Sequence, residues 1–221
     1  MPSLNGLERR DIPFTHWLTK SFLPADKIRE INRTWPDETD GRWFHERREW
    51  THKSAIMFPR RLHPAAHAVA AELYSPAILG DLQELVGYEV FADPWFLDGP
   101  LMPRVGGGLH EIQPGGLLKM HVDFSHHPAD LTRALNLLIY LNEDWKDEWG
   151  GALQLGDDGM LIYPRAGTAV LFETNGSSWH GHPEPLACPR GRTRRSLALY
   201  YYRKPTAPPE RYSTLYRNAK A

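Results

Sequence analysis

The feature that most limits what this chain can fold into is a change of periodicity near Tyr88. Before it, apolar residues recur at helical spacing; after it, short apolar runs alternate with polar positions and are punctuated by turn residues. Ile28, Ile31 and Trp35 form an apolar stripe after the start signal Pro24-Ala25-Asp26, and Pro36 is a natural stop. Two more helices are expected over 65–74 and 77–85, parted at Ser75-Pro76 and ended by Gly87. Strands are expected over 90–96, 109–113, 117–122, 134–142, 152–155, 160–163, 168–173, 178–182 and 194–203. Glycines at Gly106-Gly107-Gly108, Gly115-Gly116, Gly150-Gly151 and Gly156 fit the hairpins and bulges such a sheet needs. The fold class is therefore mainly β with flanking helices. One domain over 1–221 is expected, with a mostly helical part (1–87), a β core (88–204) and a C-terminal surface extension (205–221).

Composition narrows the function. At 221 residues one substantial core suffices. The formal net charge is −1, and the basic cluster from Arg190 to Arg195 is interrupted, so no nucleic-acid partner is expected. Cys188 is the only cysteine, which rules out an intrachain disulfide. The N-terminal run lacks the pattern of a signal peptide and no apolar run approaches membrane-spanning length, so a cytoplasmic location without a membrane partner is expected. Eight Trp, nine Tyr and eight Phe suit a β-rich core. Oligomeric state is not set by these features.

Chemistry concentrates in Lys119-Met120-His121-Val122-Asp123 and the distant Trp179-His180-Gly181-His182. A two-residue step on a strand puts His121 and Asp123 on one face, where an imidazole and a carboxylate can bind one ion. Taken alone the pair is weak, because a His–Asp hydrogen bond at a strand end satisfies the same spacing. His180 and His182 would also share a face, and strand geometry leaves both open as a third ligand. Continuous alternation would aim Lys119 the same way. On the strand from Arg194, the residues Arg194, Ser196, Ala198 and Tyr200 share one face and Arg195, Leu197 and Leu199 the other.

An ordered set of motifs then carries a resemblance. Gln113-Pro114-Gly115-Gly116 leads into His121-Val122-Asp123, and Leu137-Leu138-Ile139-Tyr140-Leu141-Asn142-Glu143-Asp144-Trp145 precedes Gly150-Gly151. Trp179-His180-Gly181-His182-Pro183 and Arg194-Arg195-Ser196-Leu197 follow. Over roughly 106–202 the sequence resembles the iron(II) and 2-oxoglutarate-dependent oxygenases, in their prolyl-4-hydroxylase-like branch. The resemblance implies a double-stranded β-helix (jelly-roll, cupin-like) core with the metal near one mouth. In the family the distal ligand follows a short Ser-x unit, matched by Ser178-Trp179, which implies His180 over His182. The implied set is Fe(II) on His121, Asp123 and His180, the far carboxylate of 2-oxoglutarate on Arg194 with help from Ser196, dioxygen as oxidant, and ascorbate as a candidate reductant. Arginine suits that carboxylate because its guanidinium makes two parallel charge-assisted hydrogen bonds. Gln113 stands where many relatives carry a tyrosine that touches the cosubstrate, and its amide is the expected replacement. Halogenating relatives lose the carboxylate that Asp123 retains, so hydroxylation is implied.

The expected reaction is hydroxylation of an unactivated C–H of a small polar molecule (an amino acid, sugar, nucleotide or natural-product intermediate), with succinate and CO2 as products. Candidate substrate contacts are Arg104, Gly106-Gly107-Gly108, His126, His127 and the Trp145 to Trp149 loop. Two alternatives stand beside it: a protein prolyl hydroxylase, and a non-oxidative cupin-like metal-binding protein.

Overall fold

The computed structural model describes residues 4–57, 62–94, 96, 107–157, 159–206 and 211–217. Three helices, α1 (Ala25–Arg33), α2 (Pro64–Leu73) and α3 (Pro76–Val86), pack on one side of a curled sheet. Each starts and stops for local reasons. Pro64 and Pro76 occupy first-turn positions, where a missing N–H costs nothing, the Ser75 hydroxyl accepts from the Ile78 N–H, and Gly87 closes α3 with φ of 79°. No described helix is long and apolar enough to cross a membrane.

The strands are β1 (Glu8–Arg10), β2 (His16–Thr19), β3 (Phe44–Arg48), β4 (Thr51–Met57), β5 (Gly108–Ile112), β6 (Leu118–Val122), β7 (His126–His127), β8 (Leu131–Tyr140), β9 (Leu153–Leu155), β10 (Leu161–Ile162), β11 (Ala169–Glu173), β12 (His180–His182), β13 (Arg194–Arg203) and β14 (Leu215–Tyr216). They pair in the order β1-β2-β11-β8-β13-β5-β4-β6-β12-β9-β10, with β3 on β4, β7 on β8 and β14 on β6. The order far from chain sequence, all antiparallel in its strand pairs, is that of a double-stranded β-helix, whose long sheet curls until β6, β12, β9 and β10 face it.

Alternation sorts the residues into two cores. Leu135, Leu137, Ile139, Leu197, Leu199 and Tyr201 point outward and are buried under the helices with Ile28, Ile31, Leu73 and Leu82. Tyr140, Val170 and Phe172 point inward to meet Leu153, Leu155 and Ile162 of the opposite sheet. Complete burial of such side chains contributes about 1.5–3 kcal/mol each.

Three sequence expectations need correction. The region before Tyr88 is not only helical, because β1 to β4 interleave with the helices and extend the sheet. The strand expected over 90–96 reduces to a single bridge, Phe91 to Tyr202, with Pro94 unable to continue a ladder. The tail is not merely a surface extension, since β14 pairs with β6 through Leu215 to Val122 and Tyr216 to His121.

Candidate metal and cosubstrate site

Two neighbouring strands bring the three donors together. His180 on β12 is directly opposite His121 on β6, and Asp123 leaves β6 just beyond it. Asp123 Oδ1 lies 3.7 Å from His121 Nε2, and Asp123 Oδ2 lies 3.5 Å from His180 Nε2. Cis donors bound at about 2.0–2.2 Å to one ion stand roughly 3 Å apart, so the spacing is slightly open and suits an ion at its centre. The ring nitrogens are already assigned by their neighbours. His121 Nδ1 donates to the Lys119 carbonyl at 2.9 Å and His180 Nδ1 to the Ser178 carbonyl at 2.8 Å, which leaves each Nε2 lone pair facing the carboxylate. Among the described residues this is the one cluster of at least three His, Cys, Asp or Glu donors close enough to share an ion. His182 is not part of it.

The surroundings favour the metal-binding protonation states. Burial alone would raise the Asp123 carboxyl, but Arg133, then His180 and His121, hold it well below the ordinary carboxylate range. Burial, and then the neighbouring His121, pushes His180 down to about 4, so its imidazole is neutral at physiological pH. Asn136 Nδ2 donates to Asp123 Oδ2 at 3.1 Å, and Arg133 Nη2 lies 3.1 Å from the same oxygen. Phe172 packs 4.7 Å from the His180 ring and Tyr216 packs 5.4 Å from that of His121, shielding both.

Arg194 lies across the interior on β13 and is 6% exposed. Its Nε donates to the Gly151 carbonyl at 2.8 Å and its Nη2 donates to the Tyr140 hydroxyl at 3.1 Å. Gly151 is required here: it has φ of 70°, and a Cβ would come within 3.1 Å of the arginine Cδ and 2.6 Å of Leu186. Burial raises the Tyr140 phenol, which keeps its proton free for an acceptor. Ser196 is buried on the same face, opposite both Tyr140 and His110. His182 is buried and hydrogen-bonded to the Glu184 backbone, and burial, then Arg194, holds it well below the ordinary histidine range. It faces the same interior.

Gln113 is not brought to this site. Its amide donates to Glu111 Oε1 at 2.7 Å on the opposite face of the sheet, where Trp35 and Thr193 also donate to Glu111. Lys119 is displaced as well: the ladder slips between the pairs His180 to His121 and His182 to Leu118, so Leu118 takes the inward position that uninterrupted alternation assigns to Lys119.

A cavity of about 380 Å³ opens onto His121 and Asp123. Lys53, His110, His126, Arg133, Tyr200 and Tyr216 are among its lining residues. Of the expected substrate contacts, His126 lines it, while His127 is buried beside Asp93 and Trp145 and Trp149 pack in a separate cluster with Ile112 and Leu186. Arg104 and Gly106 lie outside the described residues. Tyr140, Asn136, Arg133 and Lys53 were not singled out from sequence. Inward alternation along 136, 138 and 140 marks Asn136 and Tyr140, and the other two needed the register itself.

Residues 107–202 match the model of the 2OG-Fe(II) oxygenase superfamily. No curated protein matches the chain in sequence. A solved prolyl-4-hydroxylase from Pseudomonas putida shares 22% identity over 86% of this chain and 92% of its own, with a TM-score of 0.56. The viral collagen prolyl hydroxylase of Paramecium bursaria Chlorella virus-1, in complex with 2OG, shares 13% over 85% and 95%, with a TM-score of 0.57. HygX from Streptomyces hygroscopicus, with nickel and 2-oxoglutarate bound, shares 13% over 85% and 82%, with a TM-score of 0.54. At these identities the likeness is one of fold.

Proposed function

We infer that this chain, whose residues 107–202 match the model of the 2OG-Fe(II) oxygenase superfamily, is such an oxygenase and hydroxylates an unactivated C–H bond of a small polar molecule. That match weighs against the non-oxidative alternative. The observation that carries the substrate reading is the cavity of about 380 Å³ over the donor cluster, sized for a small molecule and lined by charged side chains. In this reading His121, Asp123 and His180 hold Fe(II), and Arg194, with Tyr140 and Ser196 beside it, takes the far carboxylate of 2-oxoglutarate. Bound iron with 2-oxoglutarate and dioxygen supplies oxidative decarboxylation to succinate and CO2, the second oxygen atom going to the substrate carbon.

The protein's own work is orientation. The carbonyls of Lys119 and Ser178 fix the two imidazoles, and Asn136 and Arg133 fix the carboxylate. The Gly151 carbonyl holds the Arg194 guanidinium before any ligand arrives, so little ordering is left to be done on binding. Phe172 and Tyr216 keep water from the far sides of the histidines.

Anaerobic titration of the Fe(II)-loaded protein with 2-oxoglutarate tests the chemistry, with a weak visible charge-transfer band expected. Succinate release across a panel of small polar molecules and proline-containing peptides tests the substrate. The structural likeness to two prolyl hydroxylases favours the alternative of a prolyl residue in a protein. Turnover confined to peptides would establish that alternative and reject the small-molecule reading.

A further inference from the structure

Two cations face the cavity in front of the donor cluster, and we propose that Lys53 and Arg133 bind an anionic group of the substrate, a carboxylate or a phosphate. The inference rests on the oxygenase reading above and names the substrate class for that same site.

Arg133 is 1% exposed, and among the described residues its guanidinium, with five N–H donors, is answered only by Asp123 and the Tyr200 side chain. Leaving a buried donor unmade costs about 1–3 kcal/mol, more for a charged group, so such an arginine is expected to have an occupant. Its guanidinium is held in place without being satisfied: it stacks 3.4 Å from the Tyr200 ring centroid and 4.6 Å from that of Phe124. Its one ion-pair partner is Asp123, whose carboxylate is committed to the metal in the loaded enzyme. Lys53 lines the same cavity from β4 and makes no side-chain hydrogen bond or ion pair among the described residues. Burial lowers its ammonium pKa, an unfavourable setting that an anion would relieve. One other charge at the mouth answers them in part: Glu46 stands across the β3–β4 ladder from Lys53 and favours its charged form, but it is shared with Arg48 at 3.8 Å. His110, pushed down to about 3 by burial and then by Lys53 and Arg133, is neutral.

Charge balance in the filled site points the same way. Asp123 and the 2-oxoglutarate dianion together outweigh a divalent ion by one charge, and Arg194 restores neutrality. The rest of the cavity lining then carries Arg48, Lys53 and Arg133 against Glu46, an excess of positive charge that a neutral substrate would leave unanswered. An anion held there would be fixed at one end, with its C–H bonds presented to the metal.

The test uses the full chain loaded with Mn(II) and 2-oxoglutarate without oxygen, titrated separately with inorganic phosphate and with acetate. The readout is the metal-induced relaxation of the 31P and 1H signals. Saturable enhancement is expected with at least one probe, and the better probe tells phosphate from carboxylate. Lys53→Met is expected to weaken it at least tenfold, Lys53→Arg to keep it within about threefold, and both to bind 2-oxoglutarate as the parent does. Absence of saturation, or equal enhancement in Lys53→Met, overturns the proposal. Loss of 2-oxoglutarate affinity in Lys53→Met also overturns it, by assigning the lysine to the cosubstrate. Failure of the parent protein to bind 2-oxoglutarate at all would instead reject the oxygenase reading on which the proposal stands.

Discussion

Two imidazoles of the interior, His180 in the donor cluster and His110 in the cavity wall, have a proton kept off them. His180 falls to about 4 and His110 to about 3, both chiefly through burial, so the unfolded chain binds protons below pH 6.5 that the folded one refuses. Stability tied to these groups is complete above pH 6.5 and is lost as pH falls toward 4, at about 1.4 kcal/mol per pH unit per histidine. Urea midpoints of the metal-free protein between pH 7 and pH 5 are expected to fall, and to fall less steeply in His180→Ala. His121→Ala, Asp123→Ala and His180→Ala are each expected to abolish the charge-transfer band with 2-oxoglutarate, whereas His182→Ala retains it. A band that survives in His180→Ala and vanishes in His182→Ala would transfer the ligand role. His121 and Asp123 were legible because a two-residue step on a strand is a purely local rule. Arg133 was not: the ladder shifts where Tyr201 and Tyr202 meet Leu135 and Arg133, so Ala134 and Leu135 both face the outer core and Arg133 turns inward against the alternation. The same kind of slip on β6 hid the true orientation of Lys119.

At the scale of elements, β14 closes the cavity from a segment with little to recommend it as a strand. It has two residues, one of them 47% exposed, and only its pairing with β6 reveals a purpose. Tyr216→Ala is expected to remove the wall beside His121, raising the substrate KM severalfold while 2-oxoglutarate affinity is kept. An equal loss of both would make β14 a support of the metal ligands. Leu137→Ala on β8 is a contrast: the side chain is 1% exposed in the outer core, so a loss of about 2–5 kcal/mol in denaturant unfolding is expected. β8, β11 and β13 were readable as strands because their apolar residues are continuous, as burial on both faces requires. β3 was not. Its sequence Phe-His-Glu-Arg-Arg is mostly exposed at the edge of the sheet, where charge hides the pattern and guards the edge. Lys53, which depends on β4, went unread with it.

At the scale of the whole molecule, the two halves of the β-helix meet along the strand order only where β4 touches β6, through the single pair Thr51 to Leu118. The metal donors lie on the β6–β12 side, while Arg194 lies on β13, in the long sheet. A metal with 2-oxoglutarate chelated to it therefore spans the interior and ties one sheet to the other. Ligand at a hundredfold excess over its Kd stabilises the folded state by about 2.7 kcal/mol, and a chain of this size gains roughly 2–4 °C in Tm per kcal/mol. Mn(II) alone is expected to give one increment of Tm and 2-oxoglutarate a second that requires Mn(II). Arg194→Ala is expected to erase the second and keep the first, since its guanidinium touches Gly151 and Tyr140 and none of the donors. Loss of both increments would show instead that Arg194 supports the barrel on which the donors stand, because a cosubstrate anchor acts only when the cosubstrate is present.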